Sequence, residues 1–243
     1  MESDQIMKNP PPSLWNDVYH RYSGFDLVNE YIYSKLKNIL DQYIKSKDRI
    51  LEAGCGSGYM VAHFQQKGHL SVGLDLYEEP LRVAREVFGV QHTVRGNIFR
   101  MPFEDSSFDI VWNEGVLEHF SIQQSIEAAK EMKRVAKRYV IIDVPNRYNL
   151  FVVKKHLMRF LGKWPYGYEE SYSRKRLRYL MEQAGLEVMG MHGIYIAPPL
   201  VPLLPQRVRS FFLQKISFIE DRYPGFTRLF GFHLLMIGKT NKE

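Results

Sequence analysis

The stretch ILEAGCGSGYM (residues 50–60) sets Gly54, Gly56 and Gly58 at alternate positions, two residues beyond Glu52, between an apolar run and a helical pattern. Glycines at a strand tip let the chain turn tightly and let a ligand lie against bare main chain, near the amides that open the next helix. The spacing discriminates between ligands. A dinucleotide turn needs G-x-G-x-x-G, and residue 59 is Tyr; what stands here is E-x-G-x-G-x-G. A second acid, Asp75, closes the next apolar run in SVGLDL, 17 residues beyond Gly58. A carboxylate there can accept hydrogen bonds from both hydroxyls of a ribose. The bland alternative is a plain tight turn with Asp75 capping the following helix. Cys55 has no charged neighbour in sequence to lower its pKa, so it reads as a small packed residue rather than a nucleophile.

The glycine turn, Asp75 and the segment GNIFRMPFEDSSFDIVWNEGVLEHF (96–120) together resemble the class I S-adenosylmethionine-dependent methyltransferases. They are most similar to the small-molecule (methyltransferase type 11/12-like) branch. Its members usually read G-D-x-x-x-L-P-F-x-D-x-S-F-D-x-V, then a strand and L-E-H. The resemblance is dense from Arg49 to Phe120, fainter to about Gly193, and beyond that confined to the last strand. It implies S-adenosyl-L-methionine as cofactor and S-adenosyl-L-homocysteine as product. By the same resemblance, Gly54, Cys55, Gly56 and Gly58 meet the amino-acid end of the cofactor, mostly through main chain, and Glu52 helps hold its ammonium. Asp75 takes the ribose, Leu76 packs on the adenine, and Ile98 offers it an N–H and an apolar face. Glu114 and Val116 follow the fourth strand, where the family makes main-chain contacts. Position 97 is usually Asp and accepts from the adenine amino group. Here it is Asn97, which turns a charge-assisted bond into a neutral one, weaker by about 1 kcal/mol. In WNDVYHRYSGF (15–25), Tyr19 and Tyr22 are lid residues on this reading and surface packing on the other.

Methyl transfer from a sulfonium is an in-line displacement with an activated leaving group, so positioning and exclusion of water dominate. A hydroxyl, phenol or acidic carbon acceptor would also need a base. His119, behind the fourth strand, is the candidate, and a histidine satisfied by a backbone carbonyl is the alternative. No metal ligand set stands out.

The elements that must position these residues alternate. Strands are expected over Arg49–Ala53, Leu70–Asp75, Gln91–Arg95, Phe108–Trp112, Tyr139–Val144, Leu186–His192 and Phe232–Gly238. Helices are expected over Leu27–Ile44, Gly58–Lys67, Glu79–Phe88, Ile122–Ala136, Arg174–Ala184 and Gln206–Tyr223. The alternation predicts an α/β fold, a doubly wound, mostly parallel sheet. The resemblance makes it Rossmann-like and seven-stranded with an antiparallel last strand. Residues 1–24 are read as a tail and cofactor lid segment and 25–243 as the methyltransferase domain. Insertions at about 145–173 and 194–231 are expected to cap the acceptor side. In the first insertion Leu150, Val153, Leu157, Phe160 and Leu161 recur at helical spacing beside Lys154, Lys155 and Arg159. That stretch, 150–161, is either a lid packing its apolar stripe on the core or a contact with a membrane surface. Trp164, Tyr166, Tyr168 and Tyr172 suggest an aromatic entrance.

With 243 residues, 45% of them hydrophobic, the chain can bury a core. Its net charge of +6 permits an acidic partner without requiring one. A lone cysteine, an N-terminus without an apolar signal core and the lack of an 18-residue apolar run give the expectation of a cytoplasmic protein. The partner expected is a small-molecule acceptor, amphipathic or aromatic. Nucleic acid is disfavoured: of the basic clusters Lys133–Arg138 and Arg174–Arg178, the first sits on and after a helix whose other face is apolar. The strand before NEGV also lacks the Asp/Asn-Pro-Pro-aromatic motif of base-methylating enzymes. An RNA or protein methyltransferase and a non-catalytic cofactor-binding protein are the alternatives.

Overall fold

The computed structural model describes residues 12–20 and 26–241. Two helices lead, α1 (Pro12–His20) and α2 (Leu27–Leu40), and the alternation then begins: β1 (Arg49–Ala53), α3 (Tyr59–Gln66), β2 (Leu70–Asp75), α4 (Glu78–Glu86), β3 (Thr93–Arg95) and β4 (Phe108–Glu114). It continues through α5 (Ile122–Val135), β5 (Ala136–Pro145), α6 (Phe151–Phe160), α7 (Arg174–Gln183), β6 (Glu187–Ile194), α8 (Gln206–Arg222), α9 (Pro224–Phe230) and β7 (His233–Lys239).

The seven strands form one sheet in the order β3-β2-β1-β4-β5-β7-β6. All pair in parallel except β7, which runs antiparallel to both β5 and β6. Strand order reverses between β1 and β4, the place where sheets of this kind bind ligands. Both faces are covered, so the central strands are apolar on both sides. On one face Leu51, Val111, Val140, Ile142 and Met236 pack with residues of α5 and α7, such as Met132 and Leu180. On the other, Ile50, Trp112, Ile141, Leu235 and Ile237 pack with α2, α3 and α8, through residues such as Leu36, Phe64 and Leu213.

Local chemistry sets the helix starts. Asp26 caps α2 by accepting from the Val28 and Asn29 amides at 3.0 and 2.9 Å, Ser121 and Gln124 form a capping box on α5, and Ser173 accepts from Arg176 at the start of α7.

Several boundaries depart from expectation: α2 stops at Leu40 short of Ile44, β3 starts at Thr93 instead of Gln91, and β5 runs from Ala136 to Pro145. Pro224 ends the preceding helix and starts α9, with its missing amide at a position that needs none. Strand β4 runs on past Trp112 through Asn113 and Glu114, because both pair with β5, at Ile142 and Asp143. Residues 12–20, expected within a tail, form helix α1. No helix among the described residues is long and apolar enough to cross a membrane.

Candidate functional site

The turn after β1 is held by backbone and by one carboxylate. Gly54 and Cys55 both donate to the Leu74 carbonyl, at 2.7 and 2.9 Å, tying the turn to the end of β2. The Asp75 carboxylate then accepts from two amides, Gly56 through Oδ2 and Tyr77 through Oδ1, each at 3.0 Å. Gly54, Gly56 and Gly58 have φ of +83, +50 and +69°, in the left-handed region. A Cβ on Gly54 would lie 2.4 Å from Val116, and one on Gly56 would lie 2.1 Å from the Tyr19 hydroxyl. Gly58 serves packing: its Cβ would meet Ala84 and Val90 at 2.7 and 2.9 Å, where α3 and α4 approach.

A cavity opens over this turn at the carboxyl ends of β1, β2 and β4. Of the residues expected from sequence, Tyr19, Gly54, Gly56, Asp75, Leu76, Asn97, Ile98, Glu114, Val116 and His119 line it. Glu52, Cys55 and Gly58 do not. Glu52 is buried beneath the turn, the Cys55 side chain is buried against Gly73, and Gly58 caps α3. Tyr22 lies outside the described residues. Asn97 lines the cavity, yet its Oδ1 already accepts from the Phe99 amide at 3.0 Å.

Trp15, Tyr77, Phe99 and Phe120 also line the cavity without having been singled out from sequence. Phe99 and Phe120 pack edge to face, 4.9 Å between centroids. The signal for both was present inside the 96–120 segment; Trp15 carried none beyond an aromatic-rich neighbourhood. The insertions do not roof the cavity as expected. None of the described residues of 145–173 or 194–231 lines it, and α8 packs instead on α2, where Glu220 accepts from the Tyr31 hydroxyl at 2.8 Å.

The first insertion touches the site through His119. This residue ends a 3₁₀ turn, Leu117–His119, and its Nδ1 lies 2.8 Å from the Tyr168 carbonyl. That carbonyl can only accept, so Nδ1 carries the proton and Nε2 is the free acceptor. Burial lowers the His119 pKa, partly opposed by the Tyr168 bond, which keeps the ring neutral at pH 7. Trp15 packs edge-on to His119 at 5.2 Å, and Tyr166 stacks on Trp15. The Glu170 amide donates to the Glu118 carbonyl at 2.8 Å, strapping the insertion down beside the histidine.

Below the cavity, Glu52, Glu114, Asp143 and His233 share one sheet face across β1, β4, β5 and β7. Burial, then Glu114 and Asp75, push Glu52 well above the usual carboxylate range, and its Oε2 is buried with no hydrogen-bond partner. Burial and Asp143 push Glu114 up to about 7, against the pull of His233 and a bond from Tyr33. Burial disfavours charge on His233, but Asp143, 2.6 Å from its Nδ1, and Glu114 raise it to about 9. Glu114, Asp143 and His233 bring potential metal-ligating atoms within 4.8 Å of one another. The short Nδ1–Oδ2 contact makes them a buried ion pair with a neighbouring acid.

Residues 51–142 match the family of the methyltransferase domain. An uncharacterized methyltransferase of Schizosaccharomyces pombe is 34% identical over 110 residues, covering 40% of this chain and 38% of its own length. The chain thus spans well under half of that relative. A ubiquinone biosynthesis O-methyltransferase of Bordetella parapertussis is 27% identical over 164 residues, covering 63% of this chain and 68% of its own. Among solved structures, a methyltransferase from Thermotoga maritima, described as a possible histamine N-methyltransferase, superposes with a TM-score of 0.68 at 17% identity. That superposition covers 94% of this chain and 99% of the other, and what it shares with this chain is the fold.

Proposed function

We propose that this chain, which belongs to the class I S-adenosylmethionine-dependent methyltransferases, moves a methyl group from S-adenosylmethionine to a small-molecule acceptor, amphipathic or aromatic, that enters beside His119. One observation carries the reading: a neutral histidine, its tautomer set by the Tyr168 carbonyl, stands in the same cavity wall as a bare glycine turn and a ribose-competent carboxylate. The relative named for ubiquinone biosynthesis supports an acceptor of this class.

The residues fit the cofactor. Gly54 and Gly56 leave main chain open where any side chain would collide with Val116 or Tyr19. Asp75 uses one lone pair of each oxygen on an amide and retains capacity for ribose hydroxyls. Burial holds Glu52, beneath the turn, and Glu114, in the cavity wall, toward their neutral forms; a bound ammonium and sulfonium would draw them back toward carboxylates, and the unpartnered Glu52 Oε2 is an acceptor left for that charge. Leu76 and Ile98 offer an apolar seat for a purine, and the Asn97 amide stands at its edge.

When bound, the cofactor supplies a methyl group activated by the positive charge on its sulfur. The chain's own work is to align, to dry and to take a proton. Trp15, Phe99 and Phe120 exclude water from the acceptor side. Nε2 of His119, the acceptor nitrogen in the cavity wall, would take the proton that a hydroxyl, phenol or acidic-carbon acceptor gives up on methylation. The imidazolium so formed is stabilised through Nδ1–H by the Tyr168 carbonyl.

The test is transfer of tritiated methyl to a cell extract divided into metabolite, lipid, protein and RNA pools. Label in the metabolite or lipid pool is the expected result. Label confined to the protein or RNA pool overturns the small-molecule reading.

A further inference from the structure

Helix α6 is turned inside out. Leu150, Val153, Leu157, Phe160 and Leu161 lie along one side, and that side faces solvent: Val153 is 67% exposed, Leu157 56% and Phe160 88%. The charged residue is the one buried. Lys155, 4% exposed, reaches Glu169 Oε1 at 3.1 Å and also donates to the Ser171 hydroxyl. Phe151 anchors the same inner side against Tyr195 and Phe232. Rolling the helix to bury its stripe would pull Lys155 off a buried carboxylate, a costly exchange, so the outward orientation is fixed by the fold.

An exposed stripe of this kind needs a cover. Its surroundings specify which. Residues 144–168 contain five Lys or Arg and no Asp or Glu. Lys155 is paired inside, which leaves Arg147, Lys154, Arg159 and Lys163 exposed around the stripe. Trp164 and Tyr166 follow directly, their rings 5.3 Å apart, and Tyr166 stacks on Trp15 at the cavity wall. A short helix with an apolar side, flanking lysines and arginines, and amphipathic aromatic rings at its end has the features of an interfacial helix. A second copy of the chain suits the surface poorly, since a twofold contact would set these cations against their own images.

We propose that α6 docks this protein on an anionic lipid bilayer, with Val153, Leu157 and Phe160 entering the acyl boundary and Arg147, Lys154, Arg159 and Lys163 meeting the headgroups. Docked so, the helix holds the cavity mouth beside the lipid through Tyr166 and Trp15. The proposal stands apart from the identity of the methyl acceptor and is tested without turnover.

The experiment is co-sedimentation of the full chain with vesicles of phosphatidylcholine alone and of phosphatidylcholine mixed with phosphatidylglycerol. The expected result is binding to the anionic vesicles, roughly tenfold or more above the neutral ones, and falling with added salt. The double variant Leu157→Asp/Phe160→Asp should lose about tenfold or more of that binding with an unchanged melting temperature, because both side chains are mostly in water. Lys154→Glu/Arg159→Glu gives a second readout: it should abolish the preference for anionic lipid. Failure of the wild type to bind anionic vesicles, or undiminished binding by the Asp variant, overturns the proposal. So does a concentration-dependent wild-type dimer that the Asp variant makes monomeric, which would assign the stripe to self-association.

Discussion

Asp75→Asn is a near-isosteric change with an outcome that the hydrogen bonds specify. Both carboxylate oxygens accept from backbone amides, Gly56 on one side and Tyr77 on the other. An asparagine offers one acceptor oxygen and one NH2. Whichever way it is flipped, its NH2 faces an N–H, so a charge-assisted bond is lost and a buried amide is left without a partner. A bond to a charged group contributes about 1.5–3 kcal/mol, and the orphaned amide adds to the loss, so a destabilisation of about 2–4 kcal/mol is expected. For a chain of this size that is a fall of roughly 4–16 °C in melting temperature. Affinity for S-adenosylhomocysteine should fall about 10- to 100-fold, since the oxygen aimed at the ribose is neutral or replaced. Asp75→Ala is the informative companion. It removes both acceptors and leaves the Gly56 and Tyr77 amides without their partner, so Ala should be at least as destabilising as Asn. Differential scanning fluorimetry and isothermal titration with S-adenosylhomocysteine read both effects. An Asn variant that melts and binds like the wild type would show that the carboxylate neither holds the turn nor meets the sugar.

His119→Gln should lower kcat/KM for the acceptor by roughly 10²–10⁴ while leaving S-adenosylhomocysteine affinity near wild type. The wild-type rate should fall on the acid side with a midpoint below 6.5, because burial lowers the His119 pKa. Full turnover by the variant would remove His119 from proton transfer. For His233, the sign follows from a folded pKa of about 9 above an ordinary 6.5: the proton shared with Asp143 stabilises fully below pH 6.5 and is lost as pH rises through 9. Urea midpoints taken across that window should decline in the wild type and decline less in His233→Gln. A wild-type midpoint that climbs toward pH 9 would contradict the buried ion pair.

The sheet was legible because buried parallel strands are near-continuous apolar runs bounded by turn residues, and three helix starts carried a side-chain cap, Asp26, Ser121 and Ser173. The strand-end residues of the site were legible for the same reason: Gly54, Asp75 and Glu114 fall where those runs stop. Asp143 and His233 were not. Their meeting depends on β7 entering antiparallel beside β5, which pairs Pro145 with His233 and Asp143 with Leu235, and no local spacing encodes that register. Glu114 was found, but not its company. The distinct parts of the glycine motif were also hidden, since only the fold separates glycines that bare the main chain, Gly54 and Gly56, from one that lets two helices close, Gly58.

The two insertions show a different limit. Periodicity reports that one side of a helix is apolar, and it is silent on which way that side faces. For α2 the apolar side turns inward, because a sheet face stands there to receive Leu36 and Leu40, and α8 sends Leu213 and Ile216 to the same face while Phe211, Phe212 and Phe218 stay exposed. For α6 the space inside is already taken by Phe232 and Tyr195, which accept Phe151, and by Glu169 and Ser171, which need a cation. Lys155 is the residue that satisfies them, and once it is inside, Leu157 and Phe160 must be outside. The decisive partner, Glu169, lies 14 residues away and marks itself in sequence only as the first acid after a long basic tract. A buried acid thus fixes the direction of an apolar stripe, and with Lys155 turned inward the exposed stripe is left among Arg147, Lys154, Arg159 and Lys163, none of which pairs with an acid among the described residues.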